Sequence, residues 1–234
     1  MKVPLTTHES ERLAALKSYQ VLDSAAEQSY DDIAAMAAHV CQVPIALVSL
    51  VDEARQWFKA KVGWQQNQTP REVAFCAHAM LQNEPFVVRD AVKDKRFAAN
   101  PLVTHSPFIR FYAGFPLVTP EGHALGTLCV LDQAARRLSA EQLQAMQALA
   151  RQVMALLENR RVLAQLAAAL EHIKTLQKML PVCGWCNRIH DGQGAWNEIE
   201  TYMHDHADVN FSHSICPECL QKVRPDERFR MIGA

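Results

Sequence analysis

Phe111-Tyr-Ala-Gly-Phe-Pro-Leu-Val118, Thr119-Pro-Glu-Gly-His123 and Ala124-Leu-Gly-Thr-Leu-Cys-Val-Leu-Asp132 read as strand, turn and strand. Both apolar runs carry the β-branched and aromatic residues that suit a pleated surface, and Pro-Glu-Gly supplies a tight reversal, so the two strands pair antiparallel. Upstream, Ile45 to Val51 is a short apolar run with the character of a buried strand. Asp52-Glu-Ala54 turns the chain, and Arg55 to Val62 alternates as a returning strand, which makes a second hairpin. Phe86 to Arg89 is a further strand. Residues 9–22 place Leu13, Leu16 and Leu22 near one helical face, and Asp31 to Val40 places Ile33, Met36, Ala37 and Val40 at i, i+3, i+4, i+7. Helices outside and hairpins within define an α+β fold with an antiparallel sheet.

From Ser139 the chain runs to Pro181 without Gly or Pro and is rich in Ala, Leu, Gln, Glu and Arg, which predicts one long helix. Ser139 and Gln142 form a capping box at its start. Val153, Leu156, Leu163, Ala167 and Leu170 follow one seam, interrupted by Arg160, while Leu163, Leu166, Leu170, Ile173 and Leu180 follow a shifted register. A drifting seam predicts a two-stranded coiled coil with a stutter, hence a homodimer. The alternative is a helix packed on its own domain, which suits the part before Glu158.

The last fifth holds Cys183-Gly-Trp-Cys186 and Cys216-Pro-Glu-Cys219. Two Cys-x2-Cys knuckles are the ligand set of a closed tetrahedral zinc site, with no position left for water, so a structural rather than a catalytic ion is expected. His190, His204, His206 and His213 lie between the pairs, and His213 is the best substitute for a thiolate. The rival is a dithiol redox pair, which calls for one such motif at a strand-to-helix junction of a βαβ unit. Residues 181–234 carry five Lys or Arg against eight Asp or Glu, so they lack the positive field that nucleic-acid binding requires. A protein-contact module is the expectation.

The 234 residues have a formal charge of -1, which gives no global attraction to nucleic acid or anionic lipid. No stretch has the length of an apolar membrane span, and Met1-Lys-Val-Pro-Leu lacks the core of a signal peptide, so a cytoplasmic protein is expected. Of seven cysteines, Cys41, Cys76 and Cys129 sit in apolar surroundings, where small buried thiols are common.

Several strings resemble GAF domains of the bacterial signalling type. They are Glu11-Arg-Leu-Ala-Ala-Leu16, Val48-Ser-Leu-Val-Asp52, Arg55-Gln-Trp-Phe-Lys59, Phe75-Cys-Ala-His78, Asp94-Lys-Arg-Phe-Ala98, Ile109-Arg-Phe-Tyr-Ala-Gly114 and Leu125-Gly-Thr-Leu-Cys-Val130. The resemblance implies a PAS-like six-stranded antiparallel sheet, with terminal helices on one face and a small-molecule pocket on the other. It divides the chain into a GAF sensory domain at 1–158, a coiled-coil signalling helix at 159–180 and a four-cysteine module at 181–234. Leu180-Pro-Val-Cys-Gly-Trp-Cys-Asn-Arg-Ile189 and Phe211-Ser-His-Ser-Ile-Cys-Pro-Glu-Cys219 are similar to a short cysteine module that follows sensory or receiver domains.

The same family pattern, joined to side-chain chemistry, gives the pocket candidates. Trp57 and Phe58 are adjacent in a strand, so one faces each side of the sheet. Cys76 and His78 open a short helix and read as a packed thiol and a hydrogen-bonded imidazole, or as ligands of a metal or heme. Asp90, Arg96, Arg110 and Tyr112 border the pocket loops; an arginine there clamps an anionic ligand or pairs with Asp90 or Asp94. The expected protein is a sensor or adaptor that is not an enzyme: the GAF domain receives a small molecule or a redox state. The helix couples two protomers by a shift of register or packing, and the zinc module contacts another signalling protein. The alternatives are a thiol redox enzyme such as a GAF-fold methionine sulfoxide reductase, disfavoured because Cys76 and Cys129 are far apart in sequence, and a structural dimer with a collapsed pocket.

Overall fold

One antiparallel sheet organises the first part of the chain in the computed structural model, which describes residues 5–177, 180–191, 193–207 and 210–222. The N-terminal Met1 to Pro4 read for a leader, residues 178–179 of the expected signalling helix, and residues 192, 208–209 and 223–234 of the expected cysteine module lie outside the described residues. Strands β1 (Ile45–Val51), β2 (Arg55–Val62), β3 (Gln68–Pro70), β4 (Phe86–Val88), β5 (Phe111–Val118) and β6 (Ala124–Asp132) are arranged β3-β2-β1-β6-β5-β4. Every neighbouring pair is antiparallel. The helices are α1 (Glu9–Ser18), α2 (Gln28–Cys41), α3 (Phe75–Ala79), α4 (Pro101–Thr104) and α5 (Ala140–Gln177).

Period-two alternation sorts the strand side chains onto two faces. Val48, Leu50, Phe111, Ala113, Phe115, Leu128 and Val130 pack with Leu16 of α1, Tyr30 and Ala34 of α2, and Met146 and Val153 of α5. On the other face Leu47, Val51, Phe58, Tyr112, Cys129 and Leu131 pack with Phe75 and Cys76 of α3, Phe97 and Ile109. In β2 the pairing shifts between Val48 opposite Ala60 and Ser49 opposite Phe58, so Lys59 is an extra residue. Its Nζ reaches the helical side, donating to Glu27 Oε1 at 2.6 Å and to the Ala25 carbonyl at 2.7 Å.

Five of the six strands agree with the sequence reading, which did not place β3, and the helices refine it. α1 stops at Ser18, after which Gln20 and Asp23 turn the chain with positive φ of 48° and 57°. α2 begins at Gln28, three residues before the expected start, and buries Tyr30, Ala34, Ala37, Ala38 and Cys41. Met36, read as part of the buried face, is 51% exposed. The capping box of α5 forms in both directions: Gln142 N–H donates to Ser139 Oγ at 3.2 Å and Ser139 N–H to Gln142 Oε1 at 3.0 Å. Arg160, read as an intruder in a coiled-coil seam, instead anchors α5 to its own domain. Its Nη1 donates to Glu27 Oε1 at 2.7 Å and its Nη2 to the Gln20 carbonyl at 3.1 Å.

Gly126 of β6 sits where β1 passes closest. A Cβ there would lie 1.9 Å from the Ser49 carbonyl oxygen, a backbone atom that moves only if the strand moves. Gly126→Ala is therefore expected to destabilise the domain by about 2 kcal/mol in urea unfolding, and an unchanged midpoint would refute this account of the close approach.

Backbone contacts divide the chain into units Met1–Ala168 and Ala169–Ala234. The second contains a two-stranded ribbon, β7 (Ile189–His190) with β8 (Trp196–Asn197), followed by α6 (Ile199–Ala207) and α7 (Pro217–Lys222).

Candidate functional site

The sheet face opposite the long helix holds a cavity of about 20 Å³, lined by Leu47, Gln56, Phe58, Trp64, Thr69, Phe75, Cys76, Leu102, Tyr112, Cys129 and Leu131. That volume admits about one water molecule. Strand alternation puts Gln56 and Phe58 of β2, Tyr112 of β5, and Thr127, Cys129 and Leu131 of β6 on this face, while α3 lowers Phe75 and Cys76 onto it. Phe75 stacks between Phe97, with ring centroids 4.2 Å apart, and Tyr112, at 5.1 Å.

Polar groups in this apolar wall converge on one sulfur. Cys76 Sγ receives Gln56 Nε2 at 3.3 Å and Tyr112 Oη at 3.2 Å, and lies 3.7 Å from Cys129 Sγ. Burial by itself pushes the Cys76 thiol up, and hydrogen bonds with Cys129, Thr127 and Tyr112 bring it below the ordinary thiol value. Cys129 goes the other way: burial and the neighbouring Cys76 sulfur hold it well above that value. Cys76 and Cys129, read from sequence as too far apart for joint chemistry, are therefore neighbours.

Of the pocket candidates, the structure brings Phe58, Cys76 and Tyr112 together around the cavity. Trp57 packs on the opposite, helical face. His78 is half-buried beside the ring of Phe97, at 4.9 Å, with no hydrogen-bond partner for Nε2. Burial and the nearby Arg96 charge lower its pKa, which favours the neutral imidazole. Arg110 forms a two-pronged pair with Asp90, at 2.7 Å on each prong, and Arg96 pairs with Asp94 at 3.0 and 2.6 Å. Both guanidiniums thus have carboxylate partners, and neither lines the cavity. Asp90 borders a separate open groove with Arg89, Lys93, Asp94 and Arg137.

In the second unit the four cysteines are free thiols. Among the described residues no three His, Cys, Asp or Glu side chains are gathered as a metal ligand set. Backbone N–H groups nonetheless approach the first cysteine of each pair. Cys219 N–H donates to Cys216 Sγ at 3.4 Å, and the backbone N–H groups of Cys186 and Trp185 lower the Cys183 thiol. His213 Nε2 lies 3.1 Å from Glu200 Oε1.

A six-stranded antiparallel sheet with terminal helices on one face and a short-helix-covered pocket on the other defines a sensory-domain architecture. Residues 25–157 match the GAF domain model, and the chain belongs to the GAF domain family. A cyclic di-GMP phosphodiesterase of Pseudomonas aeruginosa is 45% identical over 138 residues, which cover 59% of this chain and 24% of that protein. The chain thus spans about a quarter of the length of this curated relative. Two solved structures share the fold. The GAF domain of an Acinetobacter phosphoenolpyruvate-protein phosphotransferase is 16% identical with a TM-score of 0.50, covering 68% of this chain and 97% of its own. The PixJ GAF domain of Thermosynechococcus elongatus, in its blue-light absorbing form, is 19% identical with a TM-score of 0.51, covering 68% and 96%. The expectation of a protein that is not an enzyme is overturned by the Pseudomonas relative, which is named as one. The GAF assignment and a place among signalling proteins stand. No helix among the described residues is long and apolar enough to cross a membrane.

Proposed function

We propose that this chain is a cytoplasmic regulator of cyclic di-GMP turnover, in which a GAF sensory domain at residues 1–158 controls the output of what is joined to it. The observation that carries this reading is the 45% identity to the Pseudomonas phosphodiesterase, which runs over 138 residues. Identity at that level over a whole domain goes beyond a shared fold, whereas the two structural neighbours support the fold alone. Expression of the chain in a bacterial host, with cyclic di-GMP measured by mass spectrometry, is expected to change its cellular level. Incubation of the purified chain with the dinucleotide shows whether the chain itself carries out the turnover. An unchanged cellular level together with no hydrolysis in vitro would remove the proposal.

In this reading, residues 159–180 pair two copies, and residues 181–234 form a module that binds structural zinc and contacts another signalling protein. Cys183, Cys186, Cys216 and Cys219 would hold the ion, which would supply cross-linking of the fold rather than chemistry. The donor set fits: two x2 spacings, each already presenting a backbone N–H to its first sulfur or thiol. Purified protein is expected to carry one zinc per chain, and Cys216→Ser with Cys219→Ser to release it and expose Cys183 and Cys186 to alkylation. Alkylation of all four thiols at full rate in the wild type, with no bound zinc, would count against the site.

A further inference from the structure

Cys76 comes from α3 and Cys129 from β6, yet their sulfurs are 3.7 Å apart and only 1% and 0% exposed. A neutral thiol is a weak hydrogen-bond acceptor, whereas a thiolate gains from strong donors. Gln56 Nε2 and Tyr112 Oη both reach Cys76 Sγ, an amide and a phenol spent on one buried sulfur. The arrangement suits a thiolate at Cys76 beside a protonated Cys129, and the opposite directions of their pKa displacement agree with it.

A small cavity adjoins both sulfurs. Among its lining residues Trp64 and Leu102 are half-buried and the others are buried, so that pair lies nearest the surface. At about 20 Å³ it takes a molecule of water size. Methionine sulfoxide and other organic sulfoxides are far too large for it.

We infer that Cys76 and Cys129 are a peroxide-reactive dithiol, oxidised by hydrogen peroxide to an intramolecular disulfide. The Cys76 thiolate attacks one peroxide oxygen and the O–O bond breaks. The departing hydroxide takes up the proton that Cys76 lost on ionising, giving water and a sulfenic acid on Cys76. Cys129 then attacks that sulfur, the S–O bond breaks and the S–S bond forms. The second hydroxide leaves with the Cys129 proton as water. Two thiols have lost two electrons and the peroxide has gained them. The sulfurs close from 3.7 Å to a bond of about 2 Å, a shift that falls on α3 and β6. This names the input of the sensory domain proposed above, and rests on that reading only for what the oxidation signals.

The test uses the full chain, treated with hydrogen peroxide, quenched in acid, alkylated under denaturing conditions and mapped by mass. Linked peptides containing Cys76 and Cys129 are expected to appear about tenfold faster than the Cys41 thiol is lost. Cys41 is a matched control, equally buried at 2% exposed and with its thiol pushed up to about 11 by burial. Cys129→Ser is expected to leave a sulfenic acid on Cys76 that dimedone captures, and Tyr112→Phe to slow the oxidation several-fold with little change in packing. Loss of Cys76 and Cys129 no faster than Cys41, with no linked peptide, would overturn the proposal. So would equally rapid linkage driven by methionine sulfoxide. Linkage without any change in cellular cyclic di-GMP supports the dithiol chemistry and counts against the regulatory reading, so the two failures are distinct.

Discussion

Glu9→Gln is expected to destabilise the GAF domain by about 3 kcal/mol at neutral pH, because it removes the counter-charge of two buried arginines. Arg12 of α1 is 1% exposed; its Nη2 donates to Glu9 Oε1 at 2.6 Å, its Nε to Oε2 at 3.2 Å, and its Nη1 to the Val51 carbonyl at 2.7 Å. Arg71, 5% exposed, donates from Nη1 to the same Glu9 Oε1 at 2.7 Å and to the Asp52 carbonyl at 3.1 Å. Arg71 Nε and Nη2 have no hydrogen-bond partner, so the Glu9 charge is what compensates this cation. One carboxylate thus ties the first helix to the end of β1 and to the turn after β3. A glutamine keeps the shape and some hydrogen bonds but leaves two cations facing each other. Burial alone would raise the Glu9 pKa, but the Arg12 and Arg71 hydrogen bonds hold it well below the usual carboxylate range. The folded pKa lies below the unfolded value of 4.5, so the contribution is fully present above that pH and is lost as pH falls below it toward the folded pKa. Urea unfolding of wild type and Glu9→Gln should therefore differ most near neutral pH and converge in acid. A difference below about 1 kcal/mol at neutral pH would place this cluster among ordinary surface pairs.

The hairpins were legible because their signal is local: alternation in Arg55–Val62, a proline-glycine turn between β5 and β6, and a β-branched run in β1. β3, α3 and α4 span three to five residues each, too few to show a period, and their form comes from what they meet. α4 did carry a readable cue, since Asn100 caps it by accepting from Leu102 N–H and Pro101 follows as the first helical residue. The buried face of α2 was misread at Met36 because the helix starts earlier and Tyr30, outside the expected range, takes the inward position. Phe58, Cys76 and Tyr112, read from the sequence as pocket candidates, line the cavity. Cys129 was not among those candidates, because its nearness to Cys76 depends on register across the sheet and on where α3 is set down. Its alternation with Thr127 and Leu131 fixed only the face of β6. For the arginines the sequence left two readings open, an anion clamp or a pair with Asp90 or Asp94, and the pairs are what form: Arg110 meets Asp90, 20 residues away, and Arg96 meets Asp94.

A charge at Leu166 is expected to separate the proposed dimer into monomers while leaving the GAF domain as stable as before. α5 carries two apolar stripes with different fates. Met146, Ala150, Val153 and Leu157 are 0%, 7%, 0% and 0% exposed, packed into the core beneath the sheet. Leu163, Leu166, Leu170 and Ile173 are 65%, 54%, 50% and 49% exposed, and they recur at steps of three, four and three residues, the repeat of a two-stranded seam. One chain leaves that stripe in water, and a second copy of the same helix, by symmetry, offers the matching one. Each buried leucine contributes about 1.5–3 kcal/mol, and a symmetric dimer loses two for one substitution. At about 1.4 kcal/mol per factor of ten, Leu166→Glu should weaken association at least 100-fold. Val153→Glu provides the contrast, since it places a charge in the domain core and should unfold the domain itself. Sedimentation equilibrium separates the cases: wild type as a dimer, Leu166→Glu as a folded monomer with an unchanged unfolding midpoint. A wild type that sediments as a monomer at every concentration would mean that the exposed stripe serves another partner. Any coupling between sensor and tail would then have to run within one chain, and α5, Ala140–Gln177, would be its carrier.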